Sequence, residues 1–234
     1  MTPLPSNLDH ILSVTPEVRG FFHAETHTIS YVVADRVSRQ AVIIDSVLDY
    51  EPASATVSYE SADAIIEYVR AQGYTIEWIL ETHIHADHLS AAQYLKEHLG
   101  GRIAIGEHIT AVQTLFGEVF GDAQSLAQDG SQFDQLWPDG ATFRLGNLEA
   151  VVLHTPGHTP ADVSYLIGNA LFVGDTLFMP DYGTARVDFP GGSAETLFAS
   201  VQKLYALPDT VKVYLCHDYL PPNRSTFAWE TSVK

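Results

Sequence analysis

Three histidines and an aspartate are concentrated in the stretch THIHADH, residues 82–88, which lies one residue after the apolar run WIL. In an extended segment alternate side chains share a face, so His83 and His85 are expected to point the same way. Asp87 and His88 are then expected to begin the next helix, whose N-terminus disfavours an imidazolium and keeps His88 neutral. This density of imidazole and carboxylate groups is typical of a metal site, with a His-rich polar surface turn as the alternative.

Further metal-capable side chains follow apolar strands downstream. His158 stands in the Pro-Gly turn of HTPGHTPAD, Asp175 ends the strand in LFVGDTLF, and His217 ends the strand in VYLCHDY. Each element alone is equally typical of a cap or a satisfied polar group, but four at the ends of four strands predict one metal centre. The candidate ligands, sufficient for one or two transition metals, are His83, His85, Asp87, His88, His158, Asp175 and His217.

The spacing of apolar residues predicts two blocks of strands, each of which closes with a helix. Strand-like runs cover residues 28–34, 41–45, 75–80, 141–145, 148–154, 162–167, 170–174 and 211–216. Gly146-Asn147 and Gly168-Asn169 each predict a two-residue hairpin. The pattern indicates two sheets packed together with helices outside.

Helical spacing is found in three segments. The first covers residues 60–72 and stops at Gly73. The second places Leu89, Ala92, Leu95 and Leu99 on one face, and the last uses Leu197, Phe198, Val201, Leu204 and Tyr205. Residues 107–139 are interpreted as a helix followed by an irregular excursion.

Composition limits the classes of partner. With 234 residues, 46% of them hydrophobic, the chain can bury a sizeable core, and we expect a single domain over residues 1–234. The formal net charge of −17 argues against nucleic acid and anionic membranes as partners. Cys216 is the sole cysteine, which suits a reducing compartment, and no signal segment is recognisable at the start, so we expect a cytoplasmic protein.

The set H-x-H-x-D-H, the His in PGHT, the Asp in GDTLF and the His in CHDY, in this order, resembles the metallo-β-lactamase superfamily. The resemblance covers roughly residues 25–220. It implies an α/β (α+β) fold, an αββα sandwich with metals at the sheet edges. It says far less about the reaction, since one scaffold hosts several chemistries.

The stretch DYGTARVDFPGG, residues 181–192, followed by a helix and HDY, resembles the persulfide (sulfur) dioxygenases and the related bacterial β-lactamase-like hydrolases. This resemblance implies one Fe(II) per chain, held by a facial triad of His83, His158 and Asp175. It also implies a small-molecule persulfide, such as glutathione persulfide, and O₂ as substrates. The remaining candidate ligands, His85, Asp87, His88 and His217, would then orient the triad and shape the pocket.

Glyoxalase II, a thiolester hydrolase of the same superfamily, is the alternative. That resemblance implies two Zn(II) ions: one on His83, His85, His158 and Asp175, the other on Asp87, His88 and His217, with Asp175 bridging. Every ligand is present, so the inventory does not separate the two hypotheses. Glyoxalase II carries a further C-terminal helical domain that holds glutathione, whereas only 15 residues follow Tyr219 here.

Several residues have two interpretations each. We assign catalytic roles to Asp87 and Tyr219 and substrate binding to Arg186 and Tyr219, although Arg186 is equally suited to a structural pair with Asp188. Cys216 is interpreted as a small core residue. The chain could form a homo-oligomer, which the sequence leaves open. The histidines that lack a partner in any motif, and to which we assign no function, are His10, His23, His27, His98, His108 and His154.

Overall fold

Two six-stranded sheets pack face to face, and helices cover the outer face of each. The computed structural model describes residues 5–121 and 127–234. The first sheet has the order β1-β2-β3-β6-β8-β9 and the second the order β10-β11-β12-β13-β14-β15, while β5-β4-β7 form a small third sheet. The strands are β1 Glu17–His23, β2 Thr28–Ala34, β3 Gln40–Ile44, β4 Val47–Glu51, β5 Thr56–Ser58, β6 Thr75–Leu80, β7 Leu89–Ser90, β8 Arg102–Gly106, β9 Gln135–Trp137, β10 Thr142–Leu145, β11 Leu148–His154, β12 Val163–Ile167, β13 Ala170–Phe172, β14 Lys212–Tyr214 and β15 Glu230–Ser232. The helices are α1 Leu8–Leu12, α2 Glu60–Gln72, α3 Ala92–Leu99, α4 Ile109–Val119 and α5 Ala194–Tyr205.

Alternation along the central strands produces the layers. On β2, Tyr31 and Val33 face the second sheet and pack in one cluster with Tyr165 and Phe172, whereas Val32 and Ala34 face the helices α2 and α3. The same two-sided burial explains why β2 is buried along its whole length and shows no alternation of buried and exposed residues. On the far side, α1 and α5 cover the second sheet. The predicted sandwich of two sheets with helices outside is therefore confirmed.

The parallel strands explain where the polar loops meet. β3 pairs with β6, and β13 with β14, in parallel register, while β11 runs in the direction of β13 because both are antiparallel to β12. The carboxyl ends of these strands therefore lie at one edge of the sandwich. A hydrogen bond from the Val163 amide to the Thr82 carbonyl (2.9 Å) joins the two sheets there.

Most predicted elements form with bounds that shift by a residue or two. The helix after the His cluster is an exception, since Leu89 is 47% exposed in β7 and the helix begins only at Ala92. On α5, Phe198 and Tyr205 are exposed instead of lying on the buried face. Residues 107–139 contain α4 and also the strand β9, which the sequence did not indicate, and residues 122–126 of that segment lie outside the described residues.

Among residues 5–121 and 127–234, no helix combines the length and the apolar character that crossing a bilayer would require.

Candidate metal centre

Three of the predicted ligands come together as a compact buried group. His83 follows β6, His158 lies in the loop after β11, and Asp175 lies in a short 3₁₀ turn after β13. One potential ligand atom of each lies within 4.8 Å of the others. Asp175 Oδ2 is 3.5 Å from His158 Nε2 and 3.9 Å from His83 Nε2. The two histidines and the aspartate thus form a group that could hold a metal ion.

Each imidazole of this group has a partner that fixes which nitrogen carries the proton. His158 Nδ1 lies 2.8 Å from the Arg186 carbonyl oxygen, which only accepts, so Nδ1 donates and Nε2 keeps its lone pair. The Thr82 hydroxyl donates to Asp45 (2.8 Å) and therefore accepts from His83 Nδ1 (3.0 Å). Both Nε2 lone pairs consequently face Asp175, which is the protonation state a cation requires.

Burial supports the same protonation state. Burial and the neighbouring imidazoles of His85, His158 and His217 hold the pKa of His83 well below its usual value. A neutral His83 is therefore available as a ligand at physiological pH.

His85 lies beside two buried carboxylates. Its Nε2 is 3.2 Å from Asp45 Oδ1 and 3.5 Å from Glu81 Oε2. Burial opposes the charged ring, yet the two carboxylates raise the pKa of His85 well above its usual value. Its Nδ1 is buried and has no partner within the described residues, so a cation bound there would displace a proton from it.

His88 completes the histidine cluster. Its Nδ1 donates to the Leu89 carbonyl (3.0 Å), and its ring stacks on that of His85 at 4.2 Å between centroids. Burial and then His85 lower the pKa of His88 to about 3. The expectation that Asp87 and His88 begin a helix is wrong, because Leu89 and Ser90 first pair with β4.

Asp87 and His217 lie on the other side of Asp175. His217 Nε2 is 3.4 Å from Asp175 Oδ1 and 3.6 Å from Asp87 Oδ2. The His217 side chain is 1% exposed, whereas that of Asp87 is 37% exposed and borders solvent. The structure thus brings all seven predicted side chains to one edge of the sandwich.

Several buried ligand atoms of the centre have no hydrogen-bond partner in the part of the chain that the structure describes, which is why these side chains suit a bound cation. Among the described residues, the buried side-chain atoms without a hydrogen-bond partner include His85 Nδ1, His88 Nε2 and Asp175 Oδ1. Leaving such atoms unpaired in a protein interior costs about 1–3 kcal/mol each. Two imidazole nitrogens and a carboxylate oxygen are ordinary ligands of transition metals, and coordination would satisfy them.

Two buried acidic residues of this region, Asp45 and Glu81, are not among the seven predicted ligands. Asp45 follows β3 with a positive φ of 51° and accepts hydrogen bonds from both the amide and the hydroxyl of Thr82. Glu81 accepts from the Ser90 hydroxyl, and burial raises its pKa. An aspartate directly after the apolar run AVII is the same signal that identified Asp175, so Asp45 could have been found from the sequence.

The two predicted substrate-binding residues lie in different surroundings. The Tyr219 ring stacks on that of His217 at 5.5 Å between centroids, and burial, then Asp175, raises the pKa of Tyr219. The Arg186 guanidinium is exposed and makes a bidentate pair with Asp188, at 2.6 and 2.8 Å. The structural pair is thus present, and the role of Arg186 in substrate binding stays a prediction.

A network of charged side chains holds the loop that carries Tyr219. Arg224 pairs with Asp218, next to His217, and with Asp181 of the neighbouring loop. The Cys216 thiol is buried and lies within 4.8 Å of a potential ligand atom of both His85 and His217, so its interpretation as a plain core residue stays a prediction.

Comparison with known proteins places this arrangement in a family. The description of the metallo-beta-lactamase superfamily matches residues 25–217, which include every residue of the cluster. The chain belongs to the metallo-β-lactamase superfamily. The αββα fold implied by the motifs is thereby confirmed.

Relatives within the superfamily carry names of different activities. The chain is 52% identical to a probable metallo-hydrolase of Burkholderia pseudomallei, over 89% of this chain and 74% of that protein. It is 47% identical to glyoxylase B2 of Dictyostelium discoideum (91% and 74%) and 30% identical to the mitochondrial persulfide dioxygenase of Bos taurus (86% and 68%). It spans about half the length of further curated relatives, the beta-lactamase hydrolase-like proteins.

Among solved structures, ETHE1 from Myxococcus xanthus superposes with a TM-score of 0.72 at 31% identity, over 93% of this chain and 80% of that one.

Proposed function

We propose that this chain is an Fe(II)-dependent persulfide dioxygenase, with His83, His158 and Asp175 as the iron ligands. The observation that carries the proposal is the compact group itself: two imidazoles with fixed Nε2 lone pairs and one carboxylate, all buried and within 4.8 Å of one another. Two histidines and one carboxylate are the facial set typical of non-haem Fe(II) oxygenases. The named persulfide dioxygenase relative supports the same assignment.

In this proposal the iron supplies redox chemistry and open positions for O₂ and a persulfide sulfur. One low-molecular-weight persulfide, such as glutathione persulfide, reacts with one O₂ and one water to give the thiol and sulfite. Asp87, whose carboxylate borders solvent, accepts the proton of the incoming persulfide at Oδ2. Tyr219 lies above His217 and orients the substrate through its ring and hydroxyl.

Arg186 is proposed to bind the substrate carboxylate by releasing Asp188. Both side chains are about two-thirds exposed, at 65% and 67%, so solvent screens the attraction between them. Exchange for a substrate carboxylate therefore meets little resistance.

Metal analysis tests the ligand assignment. Protein purified without oxygen and without added metals is expected to hold one iron per chain. Asp175→Ala removes the only anionic ligand of the triad and should lose nearly all of it. Asp209→Ala, which removes an exposed carboxylate elsewhere, should keep the iron. Two tightly held zinc ions per chain, with activity restored by zinc alone, would contradict the proposal.

A second function, metal-dependent thiolester hydrolysis with two Zn(II) ions, is favoured by one separate observation. The unpartnered His85 Nδ1 and His88 Nε2 lie outside the proposed iron triad, yet they are the kind of atoms that a second ligand set would use. Glyoxylase B2 is also a named relative. In this case the chain would bind two ions, and Asp175 would lie between them.

A further inference from the structure

A series of hydrogen bonds between side chains connects the centre with a surface cavity beside β1. From the inside outwards it runs from His217 Nδ1 to Thr28 Oγ1 (3.4 Å), to Thr26 Oγ1 (2.8 Å) and to His23 Nδ1 (2.7 Å). His23 lines a cavity of about 860 Å³, together with Glu25 and Asp49. The sequence interpretation, which assigned His23 no function, did not foresee this connection.

The backbone places Thr28 against His217. The Ile29 amide donates to the Cys216 carbonyl (2.7 Å), and the Asp218 amide donates to the His27 carbonyl (3.1 Å). Thr28 and His217 lie directly opposite each other between these two bonds, in an isolated antiparallel bridge. In such a non-hydrogen-bonded pair the side chains lie closest together, which keeps the fully buried Thr28 hydroxyl beside the imidazole.

At the outer end of this series of hydrogen bonds, the surroundings of His23 determine which atoms donate and which accept. The backbone amide of Thr26 points at His23 Nδ1 (3.3 Å), and an amide can only donate, so Nδ1 carries no proton. The other nitrogen, Nε2, faces the carboxylates of Glu25 (3.2 Å) and Asp49 (3.3 Å), which accept its proton. His23 Nδ1 is thus an acceptor, and it takes the hydroxyl proton of Thr26.

The same order of donor and acceptor then follows for each inner hydrogen bond in turn. Once Thr26 donates to His23, its oxygen accepts the proton of Thr28 at 2.8 Å. The alternative acceptor for that proton, Asp87 Oδ2, is farther away at 3.4 Å. The Thr28 oxygen then accepts from His217 Nδ1, which leaves the lone pair of His217 on Nε2.

We propose that His23 is a positioning residue for the Asp87–His217 side of the centre. Because the threonine hydroxyls donate towards His23, Asp87 Oδ2 and His217 Nε2, which lie 3.6 Å apart, both remain acceptors. Without these hydrogen bonds, the Thr28 hydroxyl donates to Asp87 Oδ2 instead, and His217 Nδ1 loses the acceptor that fixes its ring orientation. A cation on this side would then meet an occupied carboxylate oxygen and a less ordered imidazole.

The test is zinc binding by the full chain after dialysis against a chelator, measured by competition with a chromophoric chelator. We expect one zinc at the group of His83, His158 and Asp175 and a second, weaker zinc at Asp87 and His217. Thr26→Val keeps the side-chain volume but interrupts the series of hydrogen bonds. It should lower the affinity for the second zinc by about 10–100-fold and leave the affinity for the first zinc unchanged.

Matched variants separate this role from a purely structural one. Thr26→Ser restores the hydroxyl and should restore the second zinc, and Thr114→Val, on the exposed side of α4, should have no effect. His23→Asn retains an acceptor for Thr26 and should bind zinc like the wild type, whereas His23→Leu should behave like Thr26→Val.

Equal affinity for the second zinc in the wild type, Thr26→Val and His23→Leu would overturn the proposal. A wild-type chain that takes up a single zinc at saturating concentration would do so as well. Oxygen uptake is not measured, so the inference is tested independently of persulfide chemistry.

Discussion

At the scale of single residues, three imidazoles of the centre are oriented by groups outside the seven predicted ligands. A backbone carbonyl holds His158, a threonine hydroxyl holds His83, and the carboxylates of Asp45 and Glu81 hold His85. Such partners fix the tautomer and the ring orientation before a metal arrives. The ligand geometry is therefore built into the protein rather than imposed by the ion.

The first prediction at this scale distinguishes a ligand of the proposed iron triad from a side chain beside the triad. His158→Ala should abolish iron binding, whereas His217→Ala should leave most of the iron in place and lower turnover by about 10–100-fold. His98→Ala removes an exposed histidine of α3 and serves as the control. Iron content by mass spectrometry, measured beside turnover, distinguishes the variants, and equal metal loss in His158→Ala and His217→Ala would favour the dinuclear hydrolase.

Asp162 gives a prediction about pH. Burial raises its pKa to about 7, although hydrogen bonds from Thr159 oppose the shift. A carboxyl whose pKa is higher in the folded than in the unfolded state binds more protons when folded, so its contribution to stability declines between about pH 4 and pH 7.

This decline should not exceed about 1.4 kcal/mol per pH unit in the free energy of unfolding. Denaturant unfolding of the metal-free wild type and Asp162→Asn between pH 4 and pH 8 measures it as the difference in slope. Identical pH profiles for the two proteins would show that Asp162 titrates normally.

The residues that sequence analysis identified are those whose spacing is periodic or whose chemistry is unusual for a strand end. All seven predicted side chains meet at one edge, since strand direction alone places the ends of β6, β11, β13 and β14 together. Asp45 carries a strand-end signal in the sequence, but its partner Thr82 lies 37 positions away. The hydrogen bonds that link His23, Thr26 and Thr28 are local, and only the link from Thr28 to His217 spans 189 positions. Only the fold brings such partners into contact.

At the scale of elements, continuous apolar runs and regular helical spacing were predictable, whereas several strands were missed, among them the seven-residue β1, the inner strand β8 and the short strands β9 and β15. β2, α2, β6 and β11 match their predicted bounds, because a continuous apolar run or a regular spacing defines each of them. β9 and β15 have three residues each, and their pairing with β8 and β14 is determined by tertiary contacts rather than by any local period. The same applies to β7, which displaced the predicted start of the helix after the His cluster.

The helix α5 provides a prediction at this scale. Leu204 is 1% exposed in the layer between α5 and the second sheet, so Leu204→Ala should lower the free energy of unfolding by about 2–5 kcal/mol. Phe198, on the same helix, is 66% exposed, and Phe198→Ala should change it by less than about 0.5 kcal/mol. Denaturant unfolding measures both changes. Comparable losses of stability in the two variants would show that the buried face of α5 is assigned wrongly.

At the scale of the whole molecule, the sandwich holds a group of seven metal-capable side chains at one edge. The net charge of −17 gives no long-range attraction for an anionic persulfide, so local positive charge at the centre must supply it. In the proposed function, the iron and Arg186 provide that charge. The single-domain assignment of residues 1–234 and the possible homo-oligomer stay predictions.

Oxygen consumption distinguishes the two proposed reactions, because thiolester hydrolysis needs an activated hydroxide and no O₂, whereas persulfide oxidation consumes O₂ at a redox-active metal. We expect oxygen uptake in an oxygen electrode when glutathione persulfide is added to the iron-loaded protein, none after exchange to zinc, and little hydrolysis of S-lactoylglutathione. Arg186→Ala should raise KM with kcat unchanged if its contact is equal in the ground and transition states. A flat oxygen trace with several persulfides, beside rapid thioester cleavage without oxygen, would contradict the account.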